Sequence, residues 1–96
     1  MSSLDKMSEY FKALSDPTRL KLLHRLNTCE CALCVTAMAK YLEVSQSAVS
    51  QHLRVLRQVG LVVSERRGYF IHYSLNRNEF QKISQLLQQL SAKKEK

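Results

Sequence analysis

Apolar residues recur at helical spacing in five stretches of this chain and alternate in one. Leu4, Met7, Phe11 and Leu14, with Tyr10 beside them, stripe one face of a helix over Leu4–Leu14. Asp16-Pro17 then restarts the chain, because Asp16 can cap a helix and Pro17 suits its first position. That helix covers Pro17–Leu26, turns Leu20, Leu23 and Leu26 (and Leu22) toward a core, and ends at Asn27-Thr28. Val35, Met38, Ala39 and Leu42 share a face of a short helix over Val35–Leu42. Glu43-Val44-Ser45 makes a tight connection into Ser45–Gly60, where Val49, Leu53, Leu56 and Val59 form the next stripe. Ser45 is a good N-cap and Gly60 a good stop. Two short helices joined by about three residues are a helix-turn-helix.

After Gly60 the period changes. Leu61–Arg66 and Tyr69–Leu75 are rich in β-branched and aromatic residues, and Tyr69, Ile71, Tyr73 and Leu75 alternate with Phe70, His72 and Ser74. Arg67-Gly68 is a turn signal, so the two runs predict a β-hairpin with a basic tip. A helix-turn-helix followed by such a hairpin is a winged helix, mainly α with one β-hairpin. Asn76–Leu90 closes the pattern as a helix striped by Phe80, Ile83, Leu87 and Leu90, with Leu86 at the edge. A single domain spanning residues 1–96 cannot cover that stripe and the first helix together. The expectation is a homodimer packed through its N- and C-terminal helices. Ala92–Lys96 is a charged tail expected to fray.

Charge narrows the partners. The chain carries a net charge of +7 over 96 residues with 45% apolar residues, so it is a globular domain that meets a polyanion. Nucleic acid ranks ahead of a membrane surface, because no basic amphipathic helix with an aromatic face stands out. No signal peptide and no run near transmembrane length is present, which places the expectation in the cytoplasm. Enzymatic chemistry finds no His/Asp/Ser or Cys/His constellation, and two glycines cannot build a phosphate loop.

Within Ser45–Gly60, the polar residues Gln46, Ser47, Ser50, Gln51 and Arg54 lie away from the apolar stripe. Short or forked polar side chains of this kind suit base edges and phosphates of double-stranded DNA. Arg66, Arg67 and Tyr69 at the hairpin tip are the matching candidates for the backbone or a minor groove. His52 fits packing at the helix–wing junction, a hydrogen-bond network or a phosphate contact, His72 a wing face, and His24 a solvated or core-edge position.

Cys29, Cys31 and Cys34 form C-x-C-x-x-C and are the only cysteines. In a reducing compartment they are thiols rather than a disulfide framework. Soft thiolates select thiophilic ions. Three sulfurs without an evident fourth ligand suit trivalent arsenic or antimony, each of which makes three bonds to sulfur. Zinc prefers four ligands. His24 or Glu30 could supply a fourth, so zinc, cadmium and lead stay open. Cys31 and Cys34 can share a helix face, but Cys29 and Cys31 point nearly oppositely on an intact helix. One ion takes all three only where the helix is broken, immediately before Val35–Leu42. A ligand favouring that break by a typical coupling of about 1–3 kcal/mol would weaken DNA binding roughly 5- to 150-fold. Thiol redox or persulfide sensing would use the same sulfurs.

The chain resembles the ArsR/SmtB family of bacterial and archaeal metal-sensing winged-helix repressors. The resemblance covers most of its length. It is carried by Ala13 through Leu23 (ALSDPTRLKLL), Ser45 through Leu53 (SQSAVSQHL), Leu56, Gly60-Leu61-Val62, and Gly68 through Leu75. It implies a homodimer that binds a two-fold-symmetric (palindromic) operator and leaves it when an inducer binds. It also implies major-groove reading by the helix starting at Ser45 and backbone contact by the wing, with no cofactor needed for DNA binding. Arsenic-responsive members share the C-x-C-x-x-C spacing, which implies inducer-binding roles for Cys29, Cys31 and Cys34. Two departures stand out: Glu30 and Ala32 lie inside the motif, and no cysteine precedes Cys29, unlike the cadmium/lead-responsive members. The terminal-helix zinc site of other members needs Asp and His, and Asn76–Lys96 contains neither. The resulting expectation is an arsenite/antimonite-responsive repressor. Thiol redox sensing, or cadmium, lead or zinc sensing, is the alternative on the same scaffold.

Overall fold

In the computed structural model, which describes residues 2–29 and 32–93, five helices surround a three-stranded antiparallel sheet. The elements run α1 (Ser3–Leu14), α2 (Pro17–Cys29), β1 (Leu33–Cys34), α3 (Val35–Leu42), α4 (Gln46–Gln58), β2 (Val62–Arg67), β3 (Phe70–Leu75) and α5 (Arg77–Ser91). This is the winged helix-turn-helix that the periodicity implies. The helix starts are chemically marked: Ser2 and Asp5 form a capping box for α1, Asp16 accepts the Arg19 N–H at 3.0 Å at the start of α2, and the Ser45 hydroxyl accepts the Ala48 N–H at 3.0 Å.

Leu22, Leu26, Met38, Val49, Leu53, Leu56, Leu61 and Val62 are fully buried and join α2, α3, α4 and the base of the wing. Burial of this kind supplies most of the driving force for folding. Two stripes are rotated from expectation. Leu20 is 49% exposed, because Leu22 fills the core from α2 instead. On α1 the buried residues are Met7, Tyr10 and Ala13, leaving Leu4 and Phe11 outside. Helix α2 also runs on through Asn27-Thr28 to Cys29.

The wing is shifted by one residue from the sequence reading. Its turn is Gly68-Tyr69, Arg67 pairs with Phe70, and Tyr69 lies outside the strand. Gly68 has φ +62°, the first-position geometry of a tight hairpin turn that a side chain would resist. The third strand, β1, went unforeseen. It pairs with β3, which therefore lies centrally, with Leu33 opposite Tyr73 and Cys34 opposite His72.

Helix α4 ends in a Schellman motif: the Leu61 N–H donates to the Leu56 carbonyl and the Gly60 N–H to the Arg57 carbonyl, both at 3.0 Å. Gly60 has φ +82°, and a Cβ there would lie 3.2 Å from Cγ of Glu79. Glu79 is buried on α5, accepts the Tyr10 hydroxyl from α1, and pairs with Lys82 at 3.1 Å. The Tyr10 hydrogen bond holds the Glu79 carboxyl below its usual range despite burial. Burial, with the Glu79 contact, pushes the Tyr10 phenol up to about 12.

The molecule measures 56 × 25 × 22 Å with a radius of gyration of 15.0 Å. A compact chain of this length would have about 12.5 Å. Exposed apolar residues lie on both end helices: Leu4 and Phe11 on α1, Leu87 and Leu90 on α5. No helix of the described residues is long and apolar enough to cross a membrane. Ala92 and Lys93 lie past the end of α5, and the rest of the expected fraying tail falls outside the described residues.

Tyr10→Phe should leave a buried carboxylate short of a donor and lower stability by about 1–3 kcal/mol in urea unfolding. The wild type should lose stability as pH rises from 10 toward 12, because the unfolded phenol ionises near 10.0 while the folded one holds its proton to about 12. It should also lose stability as pH falls from the unfolded value of 4.5 through the depressed Glu79 pKa, since that contribution is complete only above 4.5. The Phe variant should lack the alkaline limb and show a smaller acid one.

Candidate nucleic-acid interface and thiol segment

Three buried residues on α4, Val49, Leu53 and Leu56, fix which face of that helix looks outward. Gln46, Ser47, Ser50, Gln51 and Arg54 are all exposed on it. Arg66, Arg67 and Tyr69 are exposed on the wing, Tyr69 at 97%. Between α4 and the wing lies an open cleft of about 470 Å³ lined by Ser50, Leu53, Arg54, Arg57, Gln58 and Tyr73. The structure thus brings Ser50 and Arg54 together with Arg57, Gln58 and Tyr73, which sequence reasoning did not single out. Arg57 lies next to Leu56 on the helix and was legible as a further basic position.

Strand alternation separates the wing arginines. Arg66 pairs with Ile71 and shares the Tyr73 face, the cleft side, whereas Arg67 pairs with Phe70 on the other face. Arg66 Nε donates to the Gly68 carbonyl at 3.3 Å, and Arg67 pairs with Glu65 at 3.3 Å. The two guanidinium groups therefore offer charge on both sides of the tip.

His52 belongs to a network. Its Nδ1 lies 3.3 Å from Arg19 Nη1 and 3.9 Å from Asp16 Oδ1. Arg19 also donates from Nε to the Ala13 carbonyl at 2.6 Å and from Nη2 to the Lys12 carbonyl at 3.4 Å. One guanidinium thus closes the end of α1, meets α4, and stands at the start of α2. The backbone N–H of Arg19, helped by His52, holds the Asp16 carboxyl below its usual range. Of the roles open to His52, this geometry matches a hydrogen-bond network, made with Arg19 and Asp16 and not with the wing.

Two of the three cysteines lie among the described residues, at the end of α2 and the start of α3. Cys29 is the last residue of α2 and is disulfide-bonded. Cys34 carries a free thiol in β1 and is also the N-cap of α3, with extended φ −84° and ψ 165° and no side-chain cap hydrogen bond. Cys34 itself is therefore extended and not helical, unlike the helical placement that spacing alone allowed. Cys31 and Glu30 lie outside the described residues. Among the described residues no three His, Cys, Asp or Glu side chains gather around one ion position. His24 is exposed. The helix break that three-sulfur capture requires lies between the end of α2 at Cys29 and the start of α3 at Val35. Sulfur donors at that break fit a thiophilic ligand.

Comparison with known proteins places this arrangement. The family described as bacterial regulatory protein, arsR family, matches residues 16–64. A transcriptional repressor SmtB homolog from Synechocystis is 44% identical over 78 residues, covering 81% of this chain and 58% of the relative's own length. The arsenical resistance operon repressor of Bacillus subtilis is 36% identical over 77 residues, 79% of this chain and 71% of the relative. An ArsR-like transcriptional regulator from Rhodococcus superposes with a TM-score of 0.86 at 30% identity, covering 96% of this chain and 85% of that one.

Arg19→Ala removes the donors to two α1 carbonyls and the neighbour of His52. It should cost about 1–3 kcal/mol in urea unfolding. An unchanged midpoint would mean that solvent replaces these hydrogen bonds without loss.

Proposed function

The chain belongs to the arsR family of bacterial regulatory proteins, and from that premise we propose that it is a cytoplasmic transcriptional repressor released from DNA by trivalent arsenic or antimony at Cys29, Cys31 and Cys34. Relatives of this chain are transcriptional regulators, not enzymes. The observation that carries the proposal is one of connection. The segment bearing the thiols is joined to the wing by β1–β3 pairing and to the helix-turn-helix through the N-cap of α3. A ligand that rearranges this segment acts on both parts of the reading head.

In this reading α4 enters the major groove of a palindromic operator through Gln46, Ser47, Ser50, Gln51 and Arg54. Arg66, Arg67 and Tyr69 follow the adjacent backbone, and Arg57 extends the basic surface across the cleft. A net charge of +7 favours the polyanion and makes binding salt-dependent. The working unit is a homodimer through α1 and α5. Supporting this are the elongated shape and an apolar groove lined by Leu4, Met7, Phe11 and Leu90, with Leu87 exposed nearby. A second copy buries that surface about a two-fold axis, and the axis matches the operator symmetry.

Trivalent arsenic or antimony is the leading inducer because C-x-C-x-x-C supplies three sulfurs. A second reading, a thiol redox switch, is favoured by the disulfide-bonded Cys29 beside a free Cys34. The metalloid reading requires the reduced chain.

The test is fluorescence anisotropy of the reduced protein on its own promoter DNA, titrated with arsenite, cadmium, zinc and peroxide. Arsenite should release the DNA, and Cys31→Ser should abolish release while leaving DNA affinity unchanged. Release by peroxide and not by arsenite selects the redox switch. On the same DNA, Gln51→Ala should cost about 1–3 kcal/mol on the operator and relax preference. Arg67→Ala should weaken operator and random DNA alike.

A further inference from the structure

A second cleft, of about 480 Å³, opens where α2, the end of β3 and the start of α5 meet. Each element gives it one apolar wall residue: Leu23, Leu75 and Phe80. Leu23 is buried, while Leu75 and Phe80 are half-buried. His24, Asn27 and Arg77 supply a polar edge. That size, with apolar walls and a few polar groups, is the composition of a small-molecule site. None of these residues belongs to the DNA-reading face or to the Cys29–Cys34 segment. The apolar groove on the end helices is separate too, since its α5 residue, Leu90, lies about 20 Å along the helix from Arg77.

Charge decides what this cleft takes. No Asp or Glu lines it. Arg77 Nη1 donates to the Asn27 side-chain oxygen at 3.0 Å, and Arg77 makes no ion pair among the described residues. Arg67 and Lys82, by contrast, each have a carboxylate partner. A guanidinium carries five N–H donors in a fork that matches a carboxylate. The partner it has here is a neutral oxygen, and a charged acceptor makes the stronger bond.

We propose that this cleft binds an amphipathic organic monocarboxylate, its carboxylate on Arg77 and its hydrocarbon tail against Leu23, Leu75 and Phe80. His24, exposed at the same edge, offers a further N–H donor. A neutral ligand leaves the guanidinium without a counter-charge, and a small anion leaves the apolar walls wet. Leu75 is the last residue of β3, and Asn27 lies in the last turn of α2. A bound carboxylate therefore touches the base of the wing, α2 and α5 at once. This is an effector site distinct from the thiols, and it does not depend on which inducer the cysteines take.

The test titrates the reduced, DNA-free protein with octanoate and follows its leucine methyl signals by NMR. Acetate, which lacks the tail, and octanol, which lacks the charge, are the controls. Octanoate should shift Leu23 and Leu75 saturably, with a Kd of about 1 mM or tighter for a ligand of this size, and leave Leu4 and Leu90 in place. Acetate should shift none of them, and octanol should bind more weakly than octanoate. Arg77→Gln should weaken octanoate about five- to tenfold, between the scale of an exposed ion pair and that of a charged hydrogen bond. It should also remove the advantage of octanoate over octanol, and Arg77→Lys should restore part of it. Arg77 is exposed in the first turn of α5, so an unchanged urea midpoint is expected of both variants. Equal octanoate affinity in wild type and Arg77→Gln overturns the proposal. So does octanoate that moves Leu4 and Leu90 instead, or that moves no methyl signal at all. Leu23 and Leu75 signals that respond to protein concentration and not to octanoate also overturn it, and assign the cleft to a second copy of the chain.

Discussion

A carboxylate buried at the base of the wing holds the architecture to one geometry. Glu79 can stay charged there only because Tyr10 and Lys82 meet it. The Tyr10 hydrogen bond fixes α5 to α1. The same side chain packs on Gly60, where an added Cβ would press on it and the positive φ disfavours any side chain, and Gly60 ends α4. One polar cluster thus joins both end helices to the C-terminal end of α4. Nearer the middle of α4, His52 meets Arg19, which closes α1. Helix α4 is tied at two points to the frame formed by the end helices. For a dimer reading two half-sites, that is the useful constraint, because half-site spacing is set by how rigidly each recognition helix is held to the symmetry axis.

The thiol segment meets this rigid frame at a different point. It does not touch the Glu79 cluster through any described contact; it reaches the reading head through two residues of strand, Leu33 and Cys34. A two-residue ladder is short enough to be remade by a ligand that fixes the adjacent sulfurs. The core beneath it, built on Leu22, Met38, Leu53 and Leu56, is closely packed and resists the same demand. In the proposed reading, change at the sulfurs is directed to the wing and to the start of α3, while α1, α5 and the body of α4 keep their places.

Much of this was legible in the sequence, because most of it follows from periodicity and caps. The helix-turn-helix, its Ser45 start and Gly60 stop, and the outward row from Gln46 to Arg54 lie where a 3.6-residue stripe places them. The misses have physical causes. Leu20 and Leu4 belong to apolar stripes, but a stripe wider than the available core leaves its edge outside. Strand β1 has no two-residue period to detect, since two residues cannot show one; its existence depends on an edge of β3 left open. The Tyr10–Glu79 pair joins residues 69 positions apart, and nothing local marks Glu79 as buried. Arg19 and His52 likewise meet only in three dimensions.

The central claim is that the cysteine segment communicates with the DNA-reading surface through β1. Amide hydrogen exchange of the reduced, DNA-free protein with and without arsenite tests it most directly. The expected result is changed protection in Leu33, Cys34 and the facing residues of β3, extending into the first turn of α3, with α1 and α5 unchanged. Arsenite binding that leaves β1, β3 and α3 untouched, or that alters only the end helices, would contradict it.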